Sequence, residues 1–142
     1  MSTSYVRRSM AALLGQNVVY TLYPVIGAGA PVGAVTTGGA ANTFGADKEL
    51  IAAAAITTTF WFCSAMVDVA SASECFVVEI EEAGTTHVYA FRANLTAVTA
   101  NVGPFAPPYP VQCTAGVQIS ARQASVSGAD TLGVSIIVAT GL

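Results

Sequence analysis

The sequence predicts an all-β fold: an antiparallel β-sandwich, jelly-roll-like, with an extended Gly/Ala-rich N-terminal arm. Three observations predict it. From Ile56 onward, short runs of β-branched and aromatic residues recur at regular spacing between turn residues, as in sandwiches and barrels. Within several of these runs apolar and polar residues alternate, so that one face is buried and the other is not. No stretch carries a long amphipathic helical period; residues 47–55 have room for a helical turn or two.

Taken in order, residues 1–46 form the arm and residues 47–142 the sandwich. The arm holds an extended piece, residues 18–23, that reads as a strand ended by Pro24, and a low-complexity loop over 27–45. Residues 57–69 are continuously β-branched and aromatic, which fits a strand buried on both faces. After a loop at 70–73, residues 75–82 alternate: Phe76, Val78 and Ile80 face one way, Glu79 and Glu81 the other. Ala83-Gly84-Thr85 turns the chain into 87–93, completing a hairpin. A weaker strand is expected over 95–102. Pro104, Pro107, Pro108 and Pro110 then make a stiff loop that cannot join a central sheet. Val117, Ile119 and Ala121 alternate with Gln118, Ser120 and Arg122. Ser127-Gly128-Ala129-Asp130 turns into a last strand whose Leu132, Val134, Ile136 and Val138 share a face.

Charge narrows the function. Only 9% of the 142 residues are charged, against about 25% in an ordinary soluble domain. Five Lys and Arg with a net charge of −3 supply no basic stripe for nucleic acid. A surface so poor in ionic groups is expected to be covered by copies of itself or by a larger assembly. Residues 50–67 are uncharged and just long enough to span a bilayer, but the Thr57-Thr58-Thr59 run and acidic flanks argue for a buried strand, so no membrane partner is expected. Arg7-Arg8 before an apolar run imitates a secretion signal. Gln16-Asn17 break that run and Pro31 follows the would-be cut, which favours a mature structural arm. Cys63, Cys75 and Cys113 are odd in number and widely spaced, as expected of small buried hydrophobes in a reducing compartment.

Tests for chemistry return little. His87 is the lone histidine, near Glu79, Glu81 and Glu82; a cation could use this set, but a solvated strand face is the expected reading. No nucleophile elbow, metal-ligand spacing or glycosidase cleft is written, so no enzyme activity, cofactor or metal is expected. Glycines 27, 29 and 33 resemble a phosphate loop only superficially, since neither a helix nor Lys-Ser/Thr follows. Trp61, with Phe60 and Phe62, reads as core before it reads as a sugar platform.

The stretch FWFCSAMVDVASASECFVVEIEEAGTTHVYAFRA and the later VQISARQASVSGADTLGVSIIVATGL resemble, in strand spacing and turn chemistry, the small β-sandwich of tailed-bacteriophage virion proteins. The resemblance covers roughly residues 56–142 and includes no signature motif; the Gly/Ala-rich N-terminal segment has no counterpart in it. It implies a capsid decoration (cement) protein on the head surface, synthesised in the host cytoplasm. A homotrimer with the major capsid protein or another virion protein as partner would follow. Arm contacts are expected at Tyr5, Arg7, Arg8, Tyr20 and Tyr23, with Pro107, Pro108 and Tyr109 at a rim loop. The rival readings are a carbohydrate- or receptor-binding module of a tail or fibre, and a self-assembling shell or filament subunit.

Overall fold

The computed structural model describes residues 17–24, 33–97 and 102–141. Among these residues ten strands follow one another: β1 (Val19–Tyr23), β2 (Ala34–Thr37), β3 (Lys48–Ile51), β4 (Phe60–Asp68), β5 (Cys75–Glu82), β6 (Thr86–Asn94), β7 (Val102–Phe105), β8 (Val111–Cys113), β9 (Ile119–Ser125) and β10 (Thr131–Thr140). They form two antiparallel sheets. In sheet one, β10 lies beside β4, β1 and β2 share the free side of β10, and β7 and β8 share the far side of β4. Sheet two has the order β3-β9-β5-β6.

β1 pairs with the C-terminal half of β10 and β2 with its N-terminal half. β8 and β7 divide β4 in the same way. Each pair is one interrupted lane, so both sheets have four lanes. Apart from the β5–β6 hairpin, and the steps from β1 to β2 and β7 to β8 within a lane, every connection crosses from one sheet to the other. This is the double-sheet topology of a jelly roll, as the alternation and turn spacing predict.

Period-two patterning builds the core. Phe76, Val78 and Ile80 from β5 face Val134, Ile136 and Val138 from β10 across the sandwich, and all are at most 1% exposed. An aromatic series ties the layers together on one side. Phe62 of sheet one meets Tyr89 of sheet two at 5.5 Å, Tyr89 meets Phe91 at 5.8 Å, and Phe91 stacks on Phe105 of sheet one at 4.4 Å. Gly84, at φ 67°, takes the left-handed conformation that the β5–β6 turn requires. Gly133 is small for another reason: the buried Asp68 carboxylate lies where its Cβ would be, and that carboxylate accepts the Gly33 N–H at 3.1 Å.

Several expectations change. The strand expected over 18–23 forms as β1, but it and residues 34–37, expected to be loop, are edge strands of sheet one and not parts of an extended arm, because β10 offers them an unpaired backbone edge. The boundary at 46/47 therefore cuts through the sandwich. Residues 1–16 and 25–32 lie outside the described residues. The helical turn over 47–55 is instead β3, paired with β9, and a turn at Ala53-Ala54. The weaker strand over 95–102 is absent at 95–97, and 98–101 lie outside the described residues. Pro104 sits within β7, at the sheet edge, where a missing N–H is tolerated. Residues 57–69 are not buried on both faces: Phe60 and Phe62 are core, but Trp61, Cys63 and Met66 are half-buried on the opposite face.

All three cysteines are thiols. Cys113 on β8 is 2% exposed, and burial pushes its thiol up to about 11. A raised value keeps it neutral and unreactive until the pH approaches that figure. Alkylation of native protein at about pH 8 is expected to spare Cys113, whereas denatured chain reacts there fully. Equal labelling in both states would mean that β8 opens readily.

Candidate interaction surface

The outer face of sheet one is built row by row from the β10 register. Tyr20, Ala139 and Trp61 form one row, and Leu22, Ile137 and Ser64 the next. Ser135 stands beside Met66, and Val35 beside Gly133 and Asp68. Direct cross-strand partners share a face, so these side chains turn away from the core. Tyr20 is 44%, Leu22 36% and Val35 45% exposed; Trp61, Met66 and Ile137 are half-buried. The one charge in these rows, Asp68, is buried. Every other charged side chain among the described residues lies on sheet two or in the loops and turns.

The expected contact residues divide. Tyr5, Arg7 and Arg8 lie outside the described residues. Tyr20 sits on the uncharged face. Tyr23, one register step out of phase, pairs with inward-facing Ile136 and packs against the core instead, which corrects its assignment as a contact. Pro107 is half-buried, Pro108 exposed and Tyr109 79% exposed, all in the loop between β7 and β8 at the opposite edge of the same sheet. Sequence reasoning missed Leu22, Val35, Trp61, Met66 and Ile137. The signal was available in β10, whose outward positions Ser135, Ile137 and Ala139 carry no charge.

The outer face of sheet two is its chemical opposite. Glu79 and Glu81 project from β5 on one face, Arg122 stands across from Glu79 on β9, and His87 across from Glu81 on β6. Arg122 donates to Glu79 Oε2 through Nε at 2.8 Å and Nη2 at 2.7 Å, and to Glu81 Oε1 at 2.8 Å. His87 Nδ1 contacts Glu79 Oε1 and lies 3.6 Å from Glu81 Oε1. Residues 42–45 run alongside β9, their Asn42 and Gly45 N–H groups donating to the Ser125 and Gln123 carbonyls. This places the Phe44 ring 4.8 Å from the Arg122 guanidinium carbon, a cation–π contact.

The expectation of a solvated strand face holds for His87, which is exposed, but fails for the carboxylates: Glu79 is 8% and Glu81 1% exposed, because Arg122 and its neighbours cover them. Burial raises the Glu81 carboxyl above its ordinary value; Arg122 opposes this, and Asp47 and Glu79 add to it. The hydrogen bond to Glu79 holds the Arg122 guanidinium still more firmly protonated. Beside the network lies an open concavity of ≈ 340 Å³ whose lining includes Asn42, Phe44, Val77 and Arg92. No helix of the described residues is long and apolar enough to cross a membrane. Comparison with protein-family models, curated proteins and solved structures finds no match to this chain.

Proposed function

We propose that the protein is a non-enzymatic virion structural subunit: a decoration (cement) protein on a bacteriophage head that associates with its own copies and with the major capsid protein. The observation that carries this reading is the outer face of sheet one, on which no charge is exposed among the described residues while Tyr20, Leu22 and Val35 are exposed. The jelly-roll topology is compatible, being common among capsid subunits, although lectins and cupins share it.

Four lanes about 4.8 Å apart, crossed by strands about 34 Å long, present roughly 600 Å². A standard interface takes about 800 Å² from each partner, so the face supplies most of one contact but not all. Residues beyond it, the N-terminal segment among them, would complete the attachment. The mechanism is mechanical. A subunit bridging shell junctions must be stripped of its buried area before they part, and many weak bridges add through multivalency.

Light scattering of the purified chain is expected to report a defined oligomer, a trimer on the resemblance. The double variant Tyr20→Lys, Ile137→Lys is expected to be a folded monomer, since two like charges would be buried at each contact. A wild-type chain that stays monomeric at high concentration would overturn the reading. Deleting residues 1–16 is expected to leave the sandwich folded and reduce incorporation into heads; unchanged incorporation would show that the segment has no attachment role.

A second reading, a carbohydrate-binding module, is favoured by one observation. Phe44, 37% exposed, shares the ≈ 340 Å³ concavity with Asn42 and Arg92, an aromatic platform beside an amide and a cation. Glycan-array binding abolished by Phe44→Ala would support it.

A further inference from the structure

We propose that Glu79, Glu81 and His87 bind one divalent transition-metal cation of the zinc class, held as a structural clip on the outer face of sheet two. Their ligand atoms lie within 4.8 Å of one another. Two carboxylate oxygens and an imidazole nitrogen make a mixed donor set that suits zinc and excludes calcium, which takes oxygen ligands alone.

A separate observation points to a missing ligand. Glu81 is 1% exposed, and its Oε2 has no hydrogen-bond partner. Ser120, directly opposite it on β9 and 2% exposed, has an unpartnered Oγ as well. Buried polar atoms in native proteins are almost always satisfied, so the Glu81 carboxylate, flanked by Ser120 on β9 and His87 on β6, keeps binding capacity that no protein group uses.

The charges are compatible. Glu79 and Glu81 contribute two negative charges, Arg122 one positive and a neutral imidazole none, leaving one uncompensated negative charge. Arg122 takes Glu79 Oε2 and one face of Glu81 Oε1, while His87 Nδ1 lies beside Glu79 Oε1 and 3.6 Å from Glu81 Oε1, so one oxygen of each carboxylate and the imidazole nitrogen converge. A cationic side chain that orients ligating carboxylates from behind acts as an outer-shell partner does. His87 is 63% exposed at its side chain, so a metal has a path in and a solvent molecule can complete a four-coordinate shell. This inference stands apart from the virion role.

The test is calorimetric titration of chelator-treated full-length protein with ZnCl2, with CaCl2 in parallel. Expected are one Zn²⁺ per chain, no calcium uptake, and affinity at least about tenfold weaker in His87→Gln and Glu79→Gln. Because His87 is exposed, His87→Gln should keep the fold, and far-UV circular dichroism checks this. Thiol alkylation before titration is expected to leave binding intact. No zinc uptake by the wild type, unchanged affinity in folded His87→Gln, or loss of binding on alkylation alone would each overturn the proposal; the last would assign the metal to the cysteines.

Discussion

Replacing Phe62 by alanine is expected to lower the folding free energy by about 4 kcal/mol. The side chain is 1% exposed, sits in β4 and starts the aromatic series that joins the sheets through Tyr89. Its removal leaves a cavity between layers, and the rings of Tyr89, Phe91 and Phe105 are held too closely to one another to fill it. Phe62→Leu should recover more than half of the loss by restoring volume. Urea denaturation at constant m-value measures both variants. A loss of less than about 1.5 kcal/mol for Phe62→Ala would mean that the sheets collapse onto the gap.

Arg122→Ala is expected to cost about 3 kcal/mol near neutral pH, because it strands two carboxylates that the fold has withdrawn from water. Glu81, 1% exposed, loses its nearest positive charge, and Glu79 loses two hydrogen bonds. The pH dependence has a definite sign. Burial raises the folded-state Glu81 value above the unfolded one, so the stability it contributes is fully present below the unfolded value and is lost as pH rises through the raised folded value. Arg122 opposes that rise, and its removal therefore extends it. The deficit of the variant should be small at about pH 4 and larger at about pH 8. Denaturation of metal-free protein at both values tests this; a deficit independent of pH would mean that lost packing on Phe44, not stranded charge, is responsible.

The parts of the fold legible in the sequence are those in which local pattern and tertiary burial agree. β5, β6 and β10 alternate over eight to ten residues, so the pattern alone identifies their inner faces. β2, β3 and β8 have four, four and three residues, too few for a period to register. Their state is set by the backbone edges of β10, β9 and β4, against which they pair. Of the surface, the outward side of β10 was readable, but Tyr23 was not: adjacent strand residues face opposite ways, and only the register with β10 shows that Tyr20 turns out and Tyr23 in. In the charge cluster, the i, i+2 spacing of Glu79 and Glu81 was legible. The Arg122 and Phe44 that bury them come from β9 and from the segment before β3.

Composition and alternation by themselves determined that this chain folds as an antiparallel sandwich and that few ionic groups remain to solvate it, because both are sums over local choices. Only the tertiary structure decided how those groups are distributed. Among the described residues, strand pairing gathers most of the charges on sheet two and leaves the outer face of sheet one without an exposed one. It also turns two carboxylates on an outward strand face into a buried, charge-paired cluster. Burial of a side chain depends on what distant segments lay over it, and that is a property of register and layer, which no single strand contains.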